Sequence, residues 1–113
     1  MNPIIWHNPR RSKSRQTLAL LEEAGEDPVV IPYKVDIPRR EELVRALELL
    51  NISASDFIRK GEAVYNELNL SDADEDQLID AMTEHPELIE RPVVFANGKA
   101  AIGRPPESVL AIL

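Results

Sequence analysis

IIWHNPRRSKSRQTL, residues 4–18, passes from a short apolar run through a basic loop into an amphipathic segment, and the rest of the chain is placed by it. Ile4, Ile5 and Trp6 have the length and bulk of a buried strand, with Trp6 a core residue, and Asn8-Pro9 is a turn signal that stops it. Ser12 or Ser14 is placed to cap a helix carrying Leu18, Leu20 and Leu21. Arg10, Arg11, Lys13 and Arg15 surround the start of that helix, and no acidic residue lies between Pro9 and Leu21. A strand, a tight loop and a helix N-terminus whose N–H groups point at one spot are the parts of an anion site. The same residues also fit a surface turn with a solvated basic face.

Outward from this stretch, Gly25 to Pro28 breaks the chain, and Val29, Val30, Ile31 and Tyr33 form a second β-branched run interrupted by Pro32, the mark of an edge strand. Two strands joined by a helix of this length imply a right-handed βαβ unit with parallel strands. Pro38 opens the next helix, with Glu41 and Glu42 in its first turn and Leu43, Ala46, Leu47 and Leu50 on one stripe. Ser53 starts a shorter helical segment with Asp56 three residues on, after which Phe57 and Ile58 bury and Arg59 sits at a rim. Asn66 to Glu75 is polar and reads as loop or short turns. Asp76 to His85 reads as a helix with Leu78, Ile79 and Met82 inward, ended by Pro86, and His85 is a favourable charge at its C-terminal pole. Val93 to Ala96 is a strand, Asn97-Gly98 the strongest hairpin signal in the chain, and Lys99 to Ile102 the return strand. A turn over Gly103 to Pro106 leads into a last helix, Glu107 to Leu113. The sum is an α/β fold: a mixed four-stranded sheet flanked by helices, with a helical insertion between the second and third strands.

At 113 residues and 43% hydrophobic content, the chain is expected to be one domain over residues 1–113. It has no apolar run long enough to span a membrane and no start of the signal-peptide kind, so a cytoplasmic protein is expected. There is no Cys, hence no disulfide, no thiolate metal site and no thiol nucleophile from this chain. The net charge of −7 is unevenly placed: Gly61 to Glu90 holds ten acids and no Lys or Arg, leaving thirteen bases against ten acids elsewhere. That argues against a nucleic-acid surface covering the protein and leaves room for a local basic pocket. The two His, at 7 and 85, have no metal-site spacing with carboxylates, and Asp72, Asp74 and Asp76 lack the glycine and distal glutamate of a calcium loop.

Four stretches in order, HNPRRSKSRQTL (7–18), IRKGE around Arg59, DEDQLIDAMTEHPELIERPVV (74–94) and GRPPE (103–107), resemble the arsenate reductases of the glutaredoxin-coupled type, over essentially the whole chain. The resemblance implies a thioredoxin-like fold with a cis peptide before Pro92. It implies that His7, Asn8, Pro9, Ser14 and Arg15 form the active-site loop, with Ser14 acting on the pKa of the nucleophile; His7 itself fits either a group hydrogen-bonding the loop or a residue at the strand end. It implies that Arg59, Arg91 and Arg104 hold the oxyanion, with Arg15 alongside; by residue type alone the three also fit separate solvated residues or partners for the acidic segment Gly61 to Glu90. The family nucleophile is a cysteine, which attacks arsenate; glutathione resolves the adduct and glutaredoxin restores the thiol, with no bound cofactor. In this sequence that position is Arg11, whose guanidinium stays protonated and has no accessible lone pair. The expectation is therefore a monomeric family member that does not catalyse the family reaction. Two alternatives stand beside it: a non-catalytic oxyanion binder, its pocket open or filled by Arg11 paired with Glu107, and a protein-binding regulator of the same fold.

Overall fold

The apolar run at the start of the chain becomes β1 (Ile4–Trp6), the strand on which its part of the molecule is built. The computed structural model describes residues 2–113, and they fall into two compact units, residues 2–36 with Arg91–Leu113 and Ile37–Glu90.

In the first unit, β1 runs parallel to β2 (Val29–Ile31) and the two are joined by α1 (Ser12–Glu23). On its other side β1 pairs antiparallel with β3 (Val93–Ala96), which pairs antiparallel with β4 (Lys99–Ile102), giving the order β2-β1-β3-β4. The β3–β4 hairpin turns at Asn97 and Gly98, both at positive φ (54° and 74°), the backbone a two-residue hairpin demands. Alternation along the strands puts Ile5 opposite Val94 and Val94 opposite Ala101, and these face Leu18 and Leu21 of α1 and Val109, Ile112 and Leu113 of the C-terminal segment. Trp6 is buried as its strand pattern requires, its ring edge-on to Phe95 at 5.0 Å.

Three details differ from the sequence reading. Tyr33 lies outside β2, fully buried in a turn where the N–H groups of Val35 and Asp36 donate to Pro32 O; proline lacks the N–H needed to extend the strand. The last segment, Pro106–Ile112, is a 3₁₀ helix rather than α. Ser12 is the first residue of α1 and not its cap, and Ser14 does not cap it either, for a reason given below.

The second unit is helical: α2 (Arg40–Leu50), α3 (Ala54–Phe57), α4 (Ala63–Glu67) and α5 (Glu75–Glu84). α4 is shorter than two turns and has no buried residue, so no apolar periodicity announces it. Its partners have clear starts: Glu42 accepts from Arg39 N–H at 2.9 Å, Ser53 Oγ accepts from Asp56 N–H, and Asp74 and Gln77 cap each other at 2.8 and 2.9 Å. Leu43, Ala46 and Leu47 of α2, Ala54 and Phe57 of α3, and Leu78, Ile79 and Met82 of α5 are its buried stripes. No helix among the described residues is long and apolar enough to cross a membrane.

Candidate oxyanion site at the start of α1

Strand register decides what meets what. Trp6 at the end of β1 is opposite Val93 at the start of β3, and Val93 is opposite Ile102 at the end of β4. The loop after β1, the Arg91–Pro92 segment before β3 and the Gly103–Arg104 segment after β4 therefore share one end of the sheet. The segments that carry His7, Ser14, Arg15, Arg91, Pro92 and Arg104 thus lie at that end of the sheet.

The loop is closed from inside. Ser14 is fully buried, and its Oγ lies 2.7 Å from His7 Nδ1 while accepting from Asn8 N–H at 2.9 Å. Asn8 Oδ1 accepts from Arg10 N–H, and Asn8 O from Arg11 N–H. Burial, and after it the Arg15 guanidinium, push the His7 pKa below its ordinary value, so the imidazole is held neutral. A neutral ring with Nδ1 as acceptor takes the Ser14 hydroxyl hydrogen, an assignment that uses each group once.

Because its hydroxyl is committed to His7 and Asn8, Ser14 sits in the first turn of α1 instead of at its cap. The N-cap is Arg11, which makes no side-chain capping bond, and the first turn contains no acid. Its leading N–H groups receive no side-chain cap among the described residues, and the helix dipole there favours an anion. Around them, Arg10, Arg11 and Lys13 are exposed and form no ion pair among the described residues, and Arg15 donates to Pro9 O at 2.9 Å. Arg11 does not pair with Glu107.

The Arg91–Pro92 and Arg104–Pro105 peptides are cis. Arg91 is buried and Arg104 exposed. Gly103 N–H donates to Pro92 O at 2.9 Å, and a Cβ at Gly103 would stand 2.4 Å from Thr17 Oγ1 and 2.7 Å from Pro92 Cγ. Thr17, fully buried, donates to Lys13 O at 2.8 Å. Thr17 and Gly103 thus fix α1 against the ends of β3 and β4, a role that sequence reasoning missed. The signal was present in the spacing: Ser14, Thr17 and Leu21, the buried positions of α1, follow three- and four-residue steps, with two polar residues on the inward face.

The model of the ArsC family matches residues 6–112. The chain belongs to the ArsC family. It is 50% identical over 113 residues to YfgD of Escherichia coli K12, covering 96% of this chain and 94% of that protein. It is 46% identical over 112 residues to an arsenate reductase of Neisseria meningitidis, covering 96% of each. The solved arsenate reductase from Vibrio cholerae superposes with a TM-score of 0.97 at 51% identity, covering 100% of this chain and 98% of that one. The thioredoxin-like fold of these relatives is the fold described above.

In this ArsC-family chain the remaining site residue, Arg59, belongs to the Ile37–Glu90 unit. Its guanidinium donates to Glu90 Oε1 at 2.8 Å, its Nε lies 3.5 Å from Glu62 Oε2, and its backbone N–H donates to Leu88 O.

Proposed function

We propose that this chain binds a tetrahedral oxyanion at the start of α1 and does not perform the thiol-dependent reduction of arsenate. The observation that carries the reading is the uncapped first turn of α1, with Ser14 turned inward to His7 and Asn8 and unpaired Arg10, Arg11 and Lys13 outside. Backbone N–H groups at a helix start and several guanidiniums are what phosphate-like anions take. Arg91 and Arg104, at the same end of the sheet, are further ligands in this reading, and Arg15 holds the loop. The thiol step requires a sulfur nucleophile, and position 11 supplies a guanidinium in a chain without Cys. Glutathione and glutaredoxin have no thiol adduct to resolve while Arg11 is present. The protein is read as a cytoplasmic monomer with no resident cofactor.

Titration calorimetry with arsenate, phosphate and sulfate at low ionic strength tests binding. Saturable binding is expected, weakened at least about tenfold in Arg10→Ala/Arg11→Ala/Lys13→Ala, since each charge-assisted contact contributes roughly 1 kcal/mol or more. A flat isotherm for the unmutated protein refutes it. Turnover of arsenate by the unmutated chain, with glutathione and glutaredoxin supplied, refutes the inactive half. Capture of a specific macromolecule that survives the triple substitution turns the reading toward a protein-binding module.

A further inference from the structure

The two edges of the sheet are finished differently. The order β2-β1-β3-β4 leaves β2 and β4 each with one side that no strand pairs. Along β2, Val29 N–H donates to Pro3 O, and His7 N–H donates to Ile31 O. Residues 29 and 31 therefore turn their backbone polar groups toward β1, and the outward positions are 28, 30 and 32. Two of these are Pro28 and Pro32, which have no N–H. Val30 alone offers a donor, so no ladder can be laid along this edge; prolines at outward positions are a known guard against it.

β4 has no such guard. Gly103 N–H donates to Pro92 O at 2.9 Å, which makes 92 and 103 a hydrogen-bonded position of the hairpin. By alternation Val94 with Ala101 and Ala96 with Lys99 are the others. Ala100 and Ile102 therefore turn their backbone groups outward. The Ile102 carbonyl already accepts from Arg104 N–H at 2.9 Å, whereas Ala100 N–H, Ala100 C=O and Ile102 N–H have no backbone partner among the described residues. This edge can be extended.

The flanking charges select what extends it. Lys99 and Arg104, both exposed, stand at the two ends of the edge, with the small Ala100 and Ala101 between them. No acidic residue occurs from Arg91 to Pro106. A second copy is a poor occupant. Antiparallel pairing about Ala101 would set Ala100 against Ile102 and Lys99 against Gly103, with each Lys99 beside the other copy's Arg104. Pairing about Ala100 would set the two Lys99 side chains on a diagonal. Both registers oppose like charges, which destabilises strand pairing. A strand carrying carboxylates meets complementary charge in the same place.

We propose that the outer edge of β4 is a docking strand for an extended acidic segment of another protein. The segment adds to the sheet through Ala100 and Ile102, and its carboxylates face Lys99 and Arg104. Main-chain hydrogen bonds supply the attachment and the flanking cations the preference for acids. The inference does not depend on the oxyanion reading.

Fluorescence anisotropy of a labelled peptide of alternating glutamate and valine, added to the full chain at low ionic strength, tests this. Saturable binding is expected, at least about tenfold tighter than that of a matched lysine and valine peptide, and weakened about threefold to tenfold by Lys99→Glu. Ala100→Pro removes an N–H that the β3–β4 ladder does not use, so the fold is kept while the added strand loses a donor; binding should fall at least about tenfold. Amide exchange gives a readout that needs no variant. With the acidic peptide at saturation, Ala100 and Ile102 N–H should exchange at least about tenfold more slowly, and Val30 N–H at its former rate. Absence of saturable binding overturns the inference, as does equal binding of the lysine peptide or unchanged exchange at Ala100 and Ile102. Binding lost in Arg10→Ala/Arg11→Ala/Lys13→Ala but kept in folded Ala100→Pro places the peptide on the loop at α1 and overturns it too. Protection of Ala100 and Ile102 that rises with protein concentration when no peptide is present makes a second copy the occupant, with the same consequence.

Discussion

The two units carry opposite charge and use their cations in opposite ways. Ile37–Glu90 contains five bases and fourteen acids, net −9, while the sheet unit contains eight bases and six acids, net +2. In the acidic unit every arginine has a carboxylate: Arg39 with Glu42, Arg40 with Asp76 and Asp80, Arg45 with Glu48, Arg59 with Glu62 and Glu90. In the basic loop Arg10, Arg11 and Lys13 have none among the described residues. The absence of acids between Pro9 and Leu21 is therefore what leaves positive charge available for a ligand. Three arginines that match one family motif are not equivalent in consequence: Arg59 lies among acids, whereas Arg91 and Arg104 lie at the sheet end beside that loop.

The largest effect that sharpens this contrast is chemical. Arg11→Cys places a thiol at the N-cap of α1, beside an uncapped helix start and Arg15, where a thiolate is stabilised. Arsenate turnover with glutathione and glutaredoxin is expected to rise from undetectable to measurable, a change of kind rather than degree. A folded but inactive Arg11→Cys would show that the loop, though closed in the same way, no longer orients a nucleophile. Next in size is Gly103→Ala. Its methyl meets Thr17 Oγ1 at 2.4 Å and Pro92 Cγ at 2.7 Å, and overpacking of this kind costs about 1–3 kcal/mol. Denaturant melts should show that loss, and Thr17→Ala in the same chain should restore part of it by clearing one side of the contact. A neutral Gly103→Ala would mean that α1 is not held against β3 and β4 as described.

Most of the fold was legible in residues 4–18 and 93–102 because strand bulk, Asn8-Pro9 and Asn97-Gly98 are strong local signals that packing reinforces. Helix starts were less so. Ser14 looks like a cap by type and position, yet a buried partner seven residues earlier, His7, claims its hydroxyl; that competition is tertiary. The 3₁₀ form of Pro106–Ile112 and the exposed α4 also escaped, since neither leaves an apolar period distinct from its alternatives. At the site, residue types pointed to the cradle, but which cations are paired and which are not depends on distances. That Arg59 partners the acidic segment Gly61 to Glu90 was one reading open from the sequence; which acids it meets, Glu62 and Glu90, only the fold decides.

A smaller effect follows from His7. Its pKa is lowered in the fold, by burial first and by Arg15 second, so the unfolded chain binds the proton more readily. The corresponding stability is complete above the ordinary histidine pKa near 6.5 and is lost as pH falls from there through the folded value. Melts between pH 8 and pH 5 should therefore show acid destabilisation that is shallower in His7→Asn. An identical slope in the two proteins would mean that His7 does not carry the linkage and that acids elsewhere account for it. The effect belongs to the sheet unit.

The smallest effect tests the acidic unit. Arg40 reaches Asp76 and Asp80, but the three side chains are 40%, 81% and 64% exposed, so Arg40→Ala should cost under about 1 kcal/mol. Its salt dependence is more informative than its size. In a unit of net −9, added salt screens the repulsion among carboxylates and stabilises the fold, while it also screens the Arg40 pairs. Removing Arg40 deletes an attraction and worsens the repulsion together, so the variant should gain more from salt than the unmutated chain, and the gap between them should close by about 0.5 M, where the screening length is only a few ångströms. A gap that persists at high salt would mean that Arg40 holds α2 to α5 by packing of its aliphatic stem, and the contrast between the units would then rest less on charge than on the loop at α1 alone.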